Sequence, residues 1–262
     1  MKDAATSLLI GLTAGFLGGL LGVGGGVVMT PLMVGVIGLR QIQAHGTSLL
    51  ALVFTGIGGA VAYAIRGQVD LPATVSLTLP AVFTARLGAR YAHALPEWRL
   101  KRAFGAFLLA VTAVLLAKSW LVGPADPMGG APQAAILLAT GGLAGFLSGM
   151  LGVGGGSLMV PAMVLLTGFP QALAQGSSLL AMVPVGAAGA HQHWQLGNVV
   201  KRILPGLVPG TLAGAWLGSG LAVRLSEGWL RAGFAAVLVQ TGVRYLAARP
   251  PADGQAHAAG GQ

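Results

Sequence analysis

Two short glycine-rich segments are the part of this sequence best suited to chemistry. Gly-Val-Gly-Gly-Gly stands at residues 22–26 and again at 152–156, and Pro31 or Pro161 follows five residues after the last glycine. Glycines let a ligand approach the backbone closely. The first N–H groups of a helix that starts after such a turn lack an internal acceptor and lie at the positive end of the helix dipole. Two such helix ends facing one cavity would bind a small oxyanion such as sulfite or a sulfonate.

The expected anion-binding residues belong to the two turns, to the start of each following helix and to a hydroxyl motif further along. They are Gly24, Gly25, Gly26, Val27, Gly154, Gly155, Gly156, Ser157, Thr47, Ser48, Ser177 and Ser178. Helix breaks are expected at Gly22 and Gly152, and kinks in the short helices at Pro31 and Pro161. The alternative is that the glycines serve tight helix packing alone. A nucleotide-binding loop is excluded, because no Lys-Ser/Thr follows the glycines and no strand precedes them.

The hydroxyl motif is also present twice, as Ala-His-Gly-Thr-Ser at residues 44–48 and Ala-Gln-Gly-Ser-Ser at 174–178. Each copy opens a long apolar run, so its hydroxyls are expected either to cap that helix or to donate to a ligand. His45 and its counterpart Gln175 are candidates for a proton or anion relay, and only the histidine can titrate. The alternative for His45 is an interfacial histidine whose hydrogen bonds are satisfied.

These motifs belong to a duplication that covers nearly the whole chain. Residues 15–34 and 145–164 are identical at 14 of 20 positions, and the match continues without a gap at an offset of 130. Internal repeats of this kind define structural units. The sequence predicts a first membrane repeat at 1–122, a linker at 123–130, a second membrane repeat at 131–247 and a disordered cytoplasmic tail at 248–262.

The elements that must position the motifs follow one layout in both halves. Each half has an apolar run ending at the glycine turn, a short apolar stretch and three long runs. The runs are at 6–22, 27–37, 46–65, 72–91 and 102–121, and at 134–151, 157–167, 176–194, 203–222 and 230–247. A spanning helix needs about 20 apolar residues. The prediction is an all-α polytopic membrane protein of two homologous repeats, each with a glycine-broken helical hairpin and three long transmembrane helices.

Composition agrees with a membrane protein. Only 8% of the residues are charged and 44 are glycine, whereas soluble domains carry about 25% charged residues. The net charge of +9 comes from basic residues scattered between apolar runs, which indicates the positive-inside bias of membrane loops rather than nucleic-acid binding. With no cysteine and no cluster of carboxylates or metal ligands, we expect no metal, no cofactor and no enzyme activity. His191 and His193, beside Trp194, are interpreted as part of an interfacial belt.

The distribution of basic residues distinguishes two possible topologies, inverted repeats and parallel repeats. The basic loop of Arg90, Arg99, Lys101 and Arg102 is placed in the cytoplasm. Inverted repeats add Lys2, Arg40, Lys201, Arg202, Arg244 and Arg249 to that side and leave Arg66, Lys118, Arg224 and Arg231 outside. Parallel repeats divide the same charges evenly. The positive-inside rule therefore favours inverted repeats in the inner membrane, with both termini cytoplasmic.

The paired motifs also resemble a known family. A duplicated Gly-x-Gly-Gly-Gly-x-x-x-x-Pro, followed by Gly-Thr-Ser-Leu at 46–49 and Gly-Ser-Ser-Leu at 176–179, is similar to the sulfite exporter TauE/SafE family of membrane permeases. The resemblance covers almost the whole chain. It implies transport of sulfite, sulfonates or other organosulfur anions across the inner membrane.

The function expected from the sequence is a secondary transporter of small sulfur-containing anions, with alternating access around the two glycine turns. Alternatives are an anion channel, a carrier of non-sulfur organic anions or a membrane scaffold. The expected partners are the small anion, protons and membrane lipid. Nucleic acid is excluded, and the sequence sets no oligomeric state.

Overall fold

The computed structural model describes residues 2–92 and 129–248, together with scattered positions between 98 and 113. Most of the predicted run at 102–121, residues 123–128 of the linker and residues 249–262 of the tail lie outside the described residues. Within the described part every regular element is helical. The predicted all-α class is confirmed there.

Among the continuously described residues, 2–92 and 129–248, each half forms four helices in the same order, and the second half also forms a fifth. The first half contains α1 (Lys2–Leu21), α2 (Gly26–Leu32) continued by a π-helical turn (Met33–Ile37), α3 (Gln41–Ala64) and α4 (Leu71–Tyr91). The second half contains α5 (Gly130–Leu151), α6 (Gly156–Leu166), α7 (Gln171–Gln195), a 3₁₀ turn (Lys201–Ile203), α8 (Leu204–Ala222) and α9 (Glu227–Leu246).

Local sequence explains where these helices begin and end. The α1 and α5 helices stop at Gly22 and Gly152, whose φ angles of 70° and 63° are in the left-handed region that glycine adopts without strain. The α4 helix begins after Asp70, whose carboxylate accepts the Ala73 N–H at 2.7 Å. The helix breaks predicted at Gly22 and Gly152 are therefore confirmed.

The two halves interlock, because the first helix of each lies along the fourth helix of the other. The α1 helix packs on α8, and α5 packs on α4. A methyl group added to Gly218 would overlap the carbonyl oxygen of Phe16, and one added to Gly88 would overlap that of Phe146. The two contacts are equivalent at the offset of 130, so the duplicated sequence builds one close crossing twice.

The central pair, α3 and α7, is made of equivalent helices that run antiparallel. Gly56 faces Leu179, near the start of α7, whereas Gly186 faces Leu49, near the start of α3. Because the later residue of α3 meets the earlier residue of α7, and the earlier residue of α3 meets the later residue of α7, the two helices run in opposite directions and meet near their centres. The core of the molecule is therefore a crossing of two copies of the same helix.

Four described helices are long and apolar enough to span a membrane. They are Ala4–Leu21, Gln41–Ala64, Gly130–Leu151 and Gln171–Gln195. The predicted runs at 72–91, 203–222 and 230–247 also form helices, of 21, 19 and 20 residues. Large apolar side chains such as Phe83, Leu143 and Trp229 are more than half exposed on the outer surface. Such a surface suits contact with lipid.

Candidate functional site

The two glycine turns lie directly against each other. A methyl group on Gly26 would meet the carbonyl oxygens of Gly152 and Val153, and one on Gly156 would meet the carbonyl oxygen of Gly22. Residues 21–27 and 151–157 are all buried. The structure therefore brings together the two motifs that the sequence places 130 residues apart.

The turns sit at mid-length of the crossing helices. Methyl groups on Gly24 and Gly154 would both contact Leu52 of α3 and Met182 of α7. Leu52 and Met182 are repeat equivalents near the middle of their helices. Irregular backbone in the middle of a membrane protein is tolerated only when it is buried in protein or lines a cavity.

The backbone leaves some helix-start donors unused. In the described structure the first helical hydrogen bonds are those from Val28 and Met29 to Gly25, and from Leu158 and Met159 to Gly155. The N–H groups of residues 26–27 and 156–157 have no backbone acceptor among the described residues. These are the donors that the sequence assigned to an anion.

The short helices respond differently to their prolines. After Pro31 the chain leaves α geometry at Leu32 and continues as the π-helical turn Met33–Ile37. After Pro161 the helix stays α-helical to Leu166. The kinks predicted at Pro31 and Pro161 stay predictions, and the two prolines differ in that only Pro31 is followed by a π-helical turn.

The serine hydroxyls of the second motif tie each half to the other half's turn. Ser48 Oγ lies 2.6 Å from the carbonyl oxygen of Gly152, to which it donates. Ser178 Oγ donates to the carbonyl oxygen of Gly22 at 3.2 Å. Both hydroxyls are therefore positioned at the turns, where they stabilise the breaks.

Thr47 and Ser177 anchor the backbone that leads into α8 and α4. Thr47 Oγ1 accepts the Val200 N–H at 3.0 Å, and Ser177 Oγ accepts the Asp70 N–H at 2.8 Å. Of the two roles expected for these hydroxyls, capping is wrong, because α3 and α7 begin at Gln41 and Gln171, before the motif. The hydroxyls satisfy N–H groups of other segments instead of their own helix start.

His45 and Gln175 occupy equivalent buried positions beside the turns. His45 is 2% exposed and packs on Gly152, while Gln175 is fully buried on Gly22. The His45 Nε2 atom lies 3.1 Å from the side-chain amide of Gln41. The interfacial alternative for His45 is wrong, because the ring is inside the protein at the level of the turn.

Only one of the two polar groups of the Gln175 side-chain amide has a hydrogen-bond partner among the described residues. Its Oε1 atom accepts the Tyr63 O–H at 2.8 Å. Its buried Nε2 group has no hydrogen-bond partner among the described residues. A buried amide donor without an acceptor is costly, roughly 1–3 kcal/mol. It therefore marks a place next to the Gly22 turn where an acceptor would be stabilised.

Sequence reasoning missed two buried polar groups, Tyr63 and His193. They are repeat equivalents, and each is fully buried. His193 lies 3.1 Å from the carbonyl oxygen of Gly149, so the interfacial interpretation of this residue is wrong. His191, one residue away from the buried face, is exposed and pairs with Gln195. The sequence feature that could have identified them is that Tyr63 and His193, both polar rings, stand at equivalent positions of the two repeats.

Comparison with known proteins gives a consistent picture. A family model described as "Sulfite exporter TauE/SafE" matches residues 7–245. The chain is 30% identical over 236 residues to "Probable membrane transporter protein YunE" of Bacillus subtilis, covering 82% of this chain and 86% of that protein.

Two further relatives are also named as probable membrane transporter proteins. One, from Xylella fastidiosa, is 32% identical over 218 residues, with 81% of this chain and 82% of that protein covered. The other, ORF9 from Sinorhizobium sp, is 30% identical over 256 residues, with 94% and 95% covered. No solved structure gives a significant match.

Proposed function

We propose, from the premise that this chain belongs to the sulfite exporter TauE/SafE family, that it moves small sulfur-containing anions across the inner membrane. As a member of that family it is an integral membrane transporter. Sulfite and organosulfonates are the proposed substrates. The observation that carries the proposal is the contact between the two identical glycine turns at mid-length of α3 and α7.

The proposed binding site uses backbone and amide donors in place of a fixed positive charge. The N–H groups at the starts of α2 and α6 and the unpartnered Gln175 Nε2 group all lie at the turns. Small oxyanions are stabilised by several such donors and by the positive end of a helix. A neutral site also releases its anion readily, which a transporter requires.

Inverted repeats are part of the proposal. The equivalent helices α3 and α7 run antiparallel, and a two-fold axis relating antiparallel helices lies across them, in the plane of the membrane. Arg66 and Arg224 line one depression on the surface. Inverted repeats place both on the outer side, whereas parallel repeats separate them.

Cytoplasmic termini are supported by contacts at the opposite end of the molecule. Arg102, in the most basic loop, donates to the carbonyl oxygen of Ala248 at 2.8 Å. The start of α1 packs near the Lys201–Ile203 turn, since Gly206 contacts Ala4. The positive-inside rule assigns these basic residues to the cytoplasm.

The mechanism we propose is alternating access, in which rocking of one half against the other opens the turns to one side at a time. The sequence contains no ATP-binding motif, so the driving force is a proton gradient or the gradient of the anion. His45 is the proposed proton carrier, because it lies at one turn while Gln175 lies at the other.

The test combines binding with flux. Purified protein is heated with sulfite, sulfate, thiosulfate, sulfoacetate or taurine, because a ligand of the native state raises the melting temperature. The protein is then placed in liposomes to measure counterflow of the anion that binds. Saturable counterflow, lost in Gly25→Val and Gly155→Val variants that still insert, is the expected result.

Three results would overturn parts of the proposal. Conduction that does not saturate and gives no counterflow would make the protein a channel. Full transport by a well-expressed Gly25→Val/Gly155→Val double variant would remove the site from the turns. A melting shift with carboxylates alone would assign the same site to non-sulfur organic anions.

A further inference from the structure

An apolar groove runs along the outer surface between α3 and α8, away from the glycine turns. It has a volume of about 570 Å³. Its lining residues are Ile57, Gly58, Val61, Pro209, Leu212, Ala213, Trp216 and Leu217. Trp216 is 46% exposed and Leu217 is 59% exposed, so the groove faces the surroundings of the protein.

The groove continues into a second depression that ends in two cations. This depression, of about 370 Å³, shares Trp216 and Leu217 with the groove and is closed by Arg66 and Arg224. Both arginines are exposed, and the described residues give neither side chain a hydrogen bond or an acidic partner. One site therefore joins a long apolar floor to an unneutralised pair of guanidinium groups.

We propose that this site binds one anionic phospholipid, with its phosphate between Arg66 and Arg224 and an acyl chain along the groove. From Pro209 to Ala222, where α8 ends two residues before Arg224, the helix rises about 20 Å. One leaflet of hydrocarbon is about 15 Å thick, so the length matches a chain plus its headgroup region. Arginine is suited to phosphate because its planar fork donates two parallel hydrogen bonds.

The occupant is a lipid rather than a small free anion because most of the site is apolar. A free phosphate or sulfite would use the two arginines and leave the groove below them unfilled. A phospholipid satisfies both parts at once. The orientation also agrees, since the arginines lie at the ends of α3 and α8, where a headgroup belongs, and the groove runs toward the middle of those helices.

The site lies between α3 of the first half and α8 of the second, and the equivalent pair, α7 and α4, lacks its residues. At the offset of 130, Arg66 corresponds to Leu196 and Arg224 to Ala94, so both cations are missing. Trp216 corresponds to Arg86, which puts a charge where the groove has an aromatic wall. The lipid site is therefore a specialisation that the repeat itself does not require.

The experiment offers the full-length protein in detergent an equimolar mixture of phosphatidylglycerol and phosphatidylcholine with identical acyl chains. Native mass spectrometry then measures the ratio of the two lipids retained. We expect phosphatidylglycerol to dominate, and the Arg66→Gln/Arg224→Gln variant to lower the ratio about twenty-five-fold, from roughly fivefold per arginine. The matched control is Arg244→Gln, which removes an exposed arginine from the last turn of α9 and should leave the ratio unchanged.

Several outcomes would overturn the proposal. They are equal retention of both lipids, an equal loss in the Arg244→Gln control, displacement of the lipid by millimolar inorganic phosphate, or a lipid-free dimer that covers the groove. If the double variant does not elute as a single species, Arg224→Gln alone should lower the ratio about fivefold. The Arg66→Lys/Arg224→Lys variant keeps both charges and should retain the preference.

Discussion

The first and second glycine turns have the same five residues and different backbones. Gly25 has a φ of 78°, in the left-handed region, whereas its equivalent Gly155 has a φ of −74°, which any residue adopts. A methyl group on Gly25 would overlap the carbonyl oxygen of Ala14, while one on Gly155 would meet only the flexible end of Met159 and the methyl of Ala144. The same five residues are therefore under different steric constraints in the two turns: Gly25 tolerates no side chain, whereas Gly155 has room for a methyl group if Met159 adjusts.

The two turns also differ in their surroundings. The first turn is followed by a seven-residue α-helix and a π-helical turn, and the second by a regular helix of eleven residues. The side chain packed on the first turn is Gln175, and that on the second is His45. Two turns of identical sequence thus have different backbones and different neighbours.

The largest loss of stability is expected at the two helix crossings that have equivalent contacts, α1 with α8 and α5 with α4. Gly218→Ala and Gly88→Ala each push a methyl group onto a backbone carbonyl. We expect each to destabilise the fold by about 2–3 kcal/mol, measured as a lower melting temperature in detergent. Gly220→Ala is the control, because its methyl group would meet nothing within 4 Å. A tolerated substitution at one crossing and not at the other would break the symmetry inferred here.

The turns themselves should respond unequally. Gly25→Ala forces a side chain into the left-handed region, at about 1–2 kcal/mol, and also onto the Ala14 carbonyl. Gly155→Ala has neither problem, since only side-chain atoms of Met159 and Ala144 must adjust. We expect the first variant to lose both stability and transport and the second to keep most of each. Equal losses in melting temperature and counterflow would contradict the backbone difference.

Removing the serine hydroxyls at the two turns should give a smaller difference in stability than the glycine substitutions do. Ser48 donates to Gly152 at 2.6 Å and Ser178 to Gly22 at 3.2 Å. A buried hydrogen bond contributes about 1 kcal/mol, so Ser48→Ala should destabilise more than Ser178→Ala in a thermal melt. Ser76→Ala is the matched control, because its hydroxyl bonds only to Pro72 on the surface of its own helix.

The smallest change in stability is expected for His45→Gln, which places the second half's residue in the first half. Glutamine can still pair with Gln41, so the melting temperature should move little. Proton-driven accumulation of the anion in liposomes should be lost while counterflow persists. Undiminished accumulation in an imposed pH gradient would remove His45 from the relay.

Much of this architecture is predictable from the sequence, because the two copies can be compared with each other position by position. The matching segments gave the two halves, the breaks at Gly22 and Gly152 and the positions of the long helices within a few residues. Family resemblance was predictable from the same motifs and is confirmed by the match over residues 7–245.

Other features could not be predicted, for physical reasons. In a membrane protein both the lipid-facing and the protein-facing sides of a helix are apolar, so the pattern does not reveal that α1 packs on α8. A serine looks the same whether it caps its own helix or bonds, as Ser48 does, to a turn 104 residues away. The apolar run at 46–65 began late because Gln41 and Gln43 are polar, although both lie inside α3.

The interlocking of the halves also sets the order in which the protein can be completed. During synthesis α1 enters the membrane first, but α8, the helix that covers its glycine-lined face, begins only at Leu204 of 262 residues. The first helix must therefore wait without this partner until the chain has been made as far as α8. Contacts so distant in sequence close late in folding. The contact between α1 and α8 therefore cannot form before α8 has been made, and a chain truncated before α8 leaves α1 without the helix that covers it.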